Sequence, residues 1–279
     1  MSVSSNKAAV IGFPIAQSLS PLIHQHWMKQ VGMVGSYEAV EVAPENLAEF
    51  AATASANGYR GFNITVPHKV EILPSLTKIA PLAQQMGAVN TVKVGADGTL
   101  TGFNTDGIGL VKHLKDVVPD YSIDKPALIL GAGGAARAAA LGLLTEKLPM
   151  VMISNRTRAK AEAIAEQIGR GRMTVVDWDA REDAVAAAGL IVNTTILGMA
   201  GQAPLEIDVT KAAKDTVVYD IVYKPLETEL LKNAKAHGLR TVDGLGMLVH
   251  QAAAAFKIWF GHDVGFDAEL REKLEAAIS

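Results

Sequence analysis

Leu128-Ile129-Leu130-Gly131-Ala132-Gly133-Gly134-Ala135-Ala136-Arg137 runs from an apolar strand through three glycines into an alanine-rich helix, and its reading decides the fold. A tight strand-to-helix turn wants positive φ, and a pyrophosphate can lie on it closely only where Cβ atoms are missing. Amides at the helix N-terminus then face the phosphates. Any tight βα turn can carry glycines, so the surrounding chain must decide between a nucleotide site and a bare turn.

Residues 150–154 read as the second strand of a βαβ crossover, and Asn155-Arg156-Thr157-Arg158-Ala159-Lys160 stands at its end. An NAD site usually places Asp or Glu here for the ribose 2′-hydroxyl, whereas a 2′-phosphate calls for arginine and hydroxyl donors. The second set is present, so the expected cofactor is NADP. Strands over 174–176, 190–193, 217–220 and 239–242, with helical stretches between, predict a doubly wound, Rossmann-like domain. Asp243-Gly244-Leu245-Gly246 then turns the chain into an apolar helix over 247–259, which is expected to pack back on the first domain. Tyr223 and Gln251 are the polar residues of interest here, against the ordinary reading of hydrogen-bonded packing residues.

Upstream, Ala8-Ala9-Val10-Ile11-Gly12 reads as a buried strand leading into the loop Phe13-Pro14-Ile15-Ala16-Gln17-Ser18-Leu19-Ser20-Pro21. Pro21 marks a helix start and makes Ser20 a natural N-cap, although hydroxyls at 18 and 20 are also placed to grip a small carboxylate. His24 and His26 read as packing or surface residues. Strands over 37–42 and 59–66, separated by a helical stretch over 44–56, predict a first α/β domain. Pro67 at a helix start would put Lys69 in the first turn, where a cation opposes the helix dipole. A local rule broken in this way marks a functional residue, against the alternative of a solvated lysine. Residues 87–92 and 102–107 read as polar loops, with Asp106 as N-cap of a helix over 108–117.

A chain of 279 residues with 49% hydrophobic and 20% charged residues is an ordinary globular protein, long enough for two cores. Its formal net charge of -3 supplies no basic field for nucleic acid or an anionic membrane. The absence of cysteine excludes disulfides, thiolate nucleophiles and thiolate metal sites. A short polar start over residues 1–7 and the lack of a bilayer-length apolar run lead to the expectation of a cytoplasmic protein without membrane or nucleic-acid partners.

Taken together, Ser18-Leu19-Ser20-Pro21, Asn63-Ile64-Thr65-Val66-Pro67-His68-Lys69, Gly87-Ala88-Val89-Asn90-Thr91, Asn104-Thr105-Asp106-Gly107, the glycine turn, Asn155-Arg156-Thr157, Tyr219-Asp220-Ile221-Val222-Tyr223 and Gly244-Leu245-Gly246-Met247-Leu248 closely resemble the shikimate dehydrogenase family. The resemblance spans nearly the whole chain. It implies reversible NADPH-dependent reduction of 3-dehydroshikimate to shikimate in aromatic amino-acid biosynthesis. It also implies a substrate domain over 1–106, an NADP domain over 107–243 and C-terminal helices over 244–279.

By that resemblance Ser18 and Ser20 hold the substrate carboxylate with Tyr223, while Thr65, Asn90, Asp106 and Gln251 contact ring hydroxyls and Lys69 and Asp106 form the catalytic pair. Gly131, Gly133, Gly134 and Ala135 bind the cofactor at the glycine turn, and Arg156, Thr157 and Lys160 clasp its 2′-phosphate. Gly244 and Met247 lie near the nicotinamide, and Asn155 and Ile221 are further cofactor contacts. No metal is implied, and Arg158 matches no family role. Ile196 departs from the pattern, standing where many members carry a small or hydroxyl residue. Two rivals remain at this point: a quinate/shikimate dehydrogenase of the same family, and an NADP-binding sensor without turnover. The basic turn at Arg156 argues against an NAD-linked form of the first, and the presence of both Lys69 and Asp106 argues against the second. The chain is expected to be a monomer or homodimer.

Overall fold

The computed structural model describes residues 6–278, so the start of the chain up to residue 5 lies outside the described residues. Two compact units emerge. The first runs to Thr105 and takes in Gln251–Ala277, and the second is Asp106–His250.

The first unit contains β1 (Asn6–Gly12), α1 (Ser20–Gln30), β2 (Gly35–Glu41), α2 (Leu47–Thr53), β3 (Tyr59–Ile64), β4 (Lys78–Ile79), α3 (Pro81–Met86), β5 (Thr91–Val94) and β6 (Leu100–Phe103). Its sheet has the order β2-β1-β3-β5-β6-β4. β1 runs parallel to β2 and β3, whereas β5 runs antiparallel to both β3 and β6. The C-terminal ends of β1, β3 and β6 and the N-terminal end of β5 therefore share one edge of the sheet. Ile11, Phe62, Ile64, Val92 and Leu100 are among the buried side chains of the core on this sheet.

Three local expectations need correction in this unit. The segments expected as polar loops, 87–92 and 102–107, overlap the start of β5 and the end of β6, which form a hairpin closed at Asp97-Gly98, where the Asp97 carboxylate accepts the Thr99 N–H at 3.0 Å. Lys69 lies in a run of turns and not in a helix, because its carbonyl accepts the Val89 N–H at 2.8 Å instead of a helical partner. The preceding His68 is buried, and its Nε2 lies 2.7 Å from the Val42 carbonyl oxygen, which further pins the turn. The dipole argument for Lys69 thus falls away. Nor does Ser20 cap α1, since it is the first helical residue and its N–H is accepted by Ser18 Oγ at 3.3 Å.

The opposite face of β1 and β3 is covered by an aromatic cluster. His24 stacks on Tyr37 with ring centroids 4.0 Å apart and planes within 4°, beside Trp27, Phe256 and Trp259. Burial pushes the His24 pKa down to about 3, so the ring packs as a neutral group. Trp259 donates its indole N–H to the Val92 carbonyl at 2.8 Å, and it does so directly over Gly61. A Cβ at Gly61 would sit 2.0 Å from the indole nitrogen and 2.5 Å from the Val92 oxygen. Gly61→Ala is therefore expected to destabilise the protein by about 3 kcal/mol through forced overpacking, read as a lowered urea midpoint. A midpoint equal to that of the parent protein would contradict the close packing.

The second unit begins with α4 (Asp106–Val117), β7 (Ala127–Leu130), α5 (Gly134–Thr145), β8 (Val151–Ser154), α6 (Arg158–Ile168) and β9 (Met173–Val176). It continues through α7 (Arg181–Val185), β10 (Leu190–Asn193), β11 (Val217–Asp220), α8 (Glu229–Ala236) and β12 (Arg240–Val242). The chain ends with α9 (Leu245–Phe260) and α10 (Ala268–Ile278), and the division between the units falls inside α9. Asp106 is the first residue of α4 and not a cap outside it.

All six strands of the second sheet run parallel in the order β12-β11-β10-β7-β8-β9. Every residue of β7, β10 and β11 is buried, as a parallel sheet covered on both faces requires. The strand order reverses at β7, so the crevice beyond the carboxyl ends of β7 and β10 is the topological switch point. Among the described residues, no helix is long and apolar enough to cross a membrane.

Candidate functional site

In the first unit the shared sheet edge gathers the polar residues singled out from the sequence. Ser18 and Ser20 follow β1, Thr65 and Lys69 follow β3, and Asn90 directly precedes β5. Thr105 follows β6 and is joined in the chain to Asp106, which is 8% exposed.

Asn90 is held by a network that fixes its orientation. Its Oδ1 accepts the Thr105 N–H at 2.8 Å and the Thr91 hydroxyl at 2.9 Å. A backbone N–H can only donate, so the amide atom 2.8 Å from the Thr105 nitrogen must be the oxygen. The Asn90 NH2 group donates to Thr105 Oγ1 at 3.0 Å and to Gln251 Oε1 at 3.4 Å. Asn90 therefore presents a hydrogen-bond donor toward Gln251, a polarity suited to a hydroxyl oxygen.

The network continues inward to residues that sequence reasoning did not single out for this purpose. Asn63 donates to the Asn90 carbonyl at 3.1 Å and to Thr91 Oγ1 at 3.0 Å, and its own Oδ1 accepts the Tyr37 hydroxyl at 2.8 Å. Burial drives the Tyr37 pKa well up, with the neighbouring Ser20 hydroxyl opposing this, so the phenol stays protonated and able to donate. The serine loop and Asn90 are thus tied together through Tyr37 and Asn63. Asn63, set between the apolar Phe62 and Ile64, is the one signal in the sequence for this interior.

In the second unit the glycine turn lies at the switch point. Gly131 has φ +111°, and a Cβ there would meet Thr194 Oγ1 at 2.7 Å. By contrast, a Cβ at Gly133 or Gly134 would meet nothing within 4 Å. No part of the chain itself demands glycine at those two positions, so the demand fits a group lying against the N-terminus of α5. Beyond β8, Arg156, Thr157 and Lys160 are exposed, and neither Arg156 nor Lys160 takes part in an ion pair among the described residues. Arg158 differs, since its guanidinium donates to Glu162 at 2.7 Å and to Asp177 at 2.5 Å. Those carboxylates raise its pKa and hold it away from other duties. The donor set beside the turn is thus suited to a dinucleotide carrying a 2′-phosphate.

Tyr223 lies half-buried beyond β11, where burial pushes its pKa up. Gly244 directly precedes α9 and Met247 lies in its first turn, both buried, with Ile221 half-buried nearby in sequence to Tyr223. No group of three or more His, Asp or Glu side chains among the described residues is arranged to hold a metal ion.

Three family models cover successive parts of the chain. The shikimate dehydrogenase substrate binding domain matches residues 10–92, shikimate / quinate 5-dehydrogenase matches 113–229, and the shikimate 5′-dehydrogenase C-terminal domain matches 244–268. A curated relative, the NADP(+) shikimate dehydrogenase of Methylocella silvestris, is 47% identical over 100% of this chain and 99% of its own length. The chain belongs to the shikimate dehydrogenase family.

Solved members of the shikimate dehydrogenase fold agree. The Thermus thermophilus enzyme, crystallised with NADP(H) and shikimate, superposes with a TM-score of 0.85 at 36% identity, over 98% of this chain and 99% of that one. The quinate dehydrogenase of Corynebacterium glutamicum in complex with NAD superposes with a TM-score of 0.89 at 33% identity, over 98% and 99%. Overall shape therefore does not separate the two substrates or the two cofactors within this family, and particular side chains must. In this member Ile196 is 57% exposed beyond β10, so its departure from the family pattern alters a surface and not a core.

Proposed function

We propose that this chain is an NADP-dependent shikimate dehydrogenase catalysing reversible reduction of 3-dehydroshikimate to shikimate. The observation that carries the reading is the gathering of Ser18, Ser20, Thr65, Lys69 and Asn90 at one sheet edge. Support also comes from curated relatives at 43–47% identity that bear the NADP(+) shikimate dehydrogenase name.

When bound, NADPH supplies the hydride. Negative charge then develops on the substrate ketone oxygen, and the Lys69 ammonium stabilises it and donates a proton. Asp106 accepts a hydrogen bond from a ring hydroxyl and orients the ring. Ser18 and Ser20, with Tyr223, donate to the carboxylate, and Thr65, Asn90 and Gln251 hold the ring hydroxyls. Gly131, Gly133, Gly134 and Ala135 receive the pyrophosphate, while Asn155, Arg156, Thr157 and Lys160 hold the 2′-phosphate. Ile221, Gly244 and Met247 border the nicotinamide.

The basic turn favours NADP over NAD and thus favours the biosynthetic reading over an NAD-linked quinate dehydrogenase. A cytoplasmic setting fits a chain without cysteine, which loses no disulfide in a reducing compartment, and a monomer or homodimer completes the reading. Reduction of NADP+ and NAD+ with shikimate and with quinate, followed by absorbance, tests the reading. Turnover with shikimate and NADP+ is expected to exceed the other three combinations. Its absence would overturn the assignment.

A further inference from the structure

The buried carboxylate of Asp220 ends β11 and is fully removed from solvent. Its Oδ1 accepts the Asn193 amide N–H at 2.9 Å and the Val222 backbone N–H at 3.0 Å, and its Oδ2 accepts the Thr228 hydroxyl at 2.7 Å. Asn193 is the last residue of β10, and its own carbonyl accepts the Ile221 N–H at 3.1 Å. The same side-chain Nδ2 also donates to the Leu197 carbonyl at 3.1 Å, and the Asn193 Oδ1 accepts the Thr195 hydroxyl at 2.7 Å, which holds the segment that contains Ile196. Thr228 caps α8 by accepting the Leu231 N–H. One carboxylate thus ties the exits of β10 and β11 to the start of α8.

The short strap Ile221-Val222-Tyr223 is fixed from two sides. Asp220 and Asn193 bind its N–H groups, and Gly244 packs so closely on it that a Cβ there would lie 2.1 Å from the Ile221 oxygen. We propose that Asp220 is a positioning residue, whose ionised carboxylate holds the strap so that Ile221 meets the cofactor and Tyr223 meets the substrate. The inference rests on the proposed function above.

The carboxylate is also set to respond to pH. Burial raises its pKa to about 6 against the lowering effects of Thr228, Val222 N–H and Asn193. The groups acting on it are those neutral donors. On α8 and the residue before its cap, Glu229 and Glu227 are exposed and paired with Lys232 and Lys235. Below about pH 6 the carboxylate takes a proton, its charge-assisted hold on the Val222 N–H weakens, and the strap loosens.

The test is steady-state kinetics of shikimate oxidation by NADP+ between pH 5 and 9, with NADP+ affinity measured separately by calorimetry. Asp220→Asn is expected to raise KM for shikimate and Kd for NADP+ about tenfold with little change in kcat, as the loss of one charge-assisted hydrogen bond implies. It is also expected to abolish the acid limb of kcat/KM near pH 6. Thr228→Val keeps the carboxylate but removes a donor that lowers its pKa, so the acid limb should move up by roughly half a unit. A merely structural residue would not move that limb. If the parent protein turns over but both variants keep its acid limb, with Kd for NADP+ unchanged in Asp220→Asn, the positioning role is overturned. If the parent protein fails to turn over while Asp220→Asn still weakens NADP+, the proposed function falls and the strap's hold on the cofactor survives.

Discussion

Replacing Lys69 by alanine is expected to lower kcat about 10³-fold while KM for shikimate changes only a few-fold. The asymmetry follows from when the interaction forms. A ketone oxygen carries little charge in the ground state, and the ammonium gains most of its attraction only as hydride arrives and the oxygen becomes anionic. In the proposed reading, ground-state binding falls to the serine hydroxyls, Thr65, Asn90 and Gln251, which the substitution leaves in place. The bond to Val89 that shapes the turn is made by the Lys69 backbone carbonyl, which the substitution keeps. Stopped kinetics with an intact thermal midpoint would support the role. A kcat near that of the parent protein, or a loss confined to KM, would remove Lys69 from the chemistry.

The second unit was the more legible of the two in the sequence, and the reason is physical. A parallel sheet covered on both faces needs continuous apolar strands, and each must be followed by a helix. Leu190–Asn193 and Val217–Asp220 are read directly from such runs, and the glycines after Leu130 mark the switch point. The mixed sheet of the first unit was harder. β5 and β6 carry Thr91, Lys93, Thr101 and Gly102, so their composition is that of loops, and the Asp97-Gly98 turn was the only local sign of a hairpin. Pro67 points to a helix start at Lys69, but the long-range bond to Val89 shapes the segment instead.

The candidate site shows the same division. The residues offered to a ligand stand in motifs and were visible, but the groups that orient them were not. Nothing local links Tyr37 to Asn63, or Asn193 to Asp220 and Thr228, since these meet only when strands from distant parts of the chain align. The acid closing an otherwise apolar strand was the available sign at Asp220.

Arg156→Glu is expected to reduce kcat/KM for NADP+ by about 10²–10³-fold and to leave NAD+ almost unchanged, as judged by parallel assays with the two cofactors. The substitution removes a charge-assisted donor and sets a carboxylate against a dianionic phosphate, so two unfavourable changes add for NADP+. NAD+ carries a neutral hydroxyl at that place and meets neither. Residue type and spacing alone do not separate Arg156 from Arg158, two arginines in one basic turn, although the family resemblance favours Arg156. The structure separates them, because Arg158 is clasped by Glu162 and Asp177 whereas Arg156 makes no ion pair among the described residues. Glu162 lies one helical turn beyond Arg158, which is the part of that clasp a sequence can reveal. Arg158→Ala should therefore leave the ratio between the cofactors intact. Equal losses from the two substitutions would mean that the turn acts as a diffuse positive field, and a loss specific to Arg156 would mean that it binds the phosphate through one placed guanidinium.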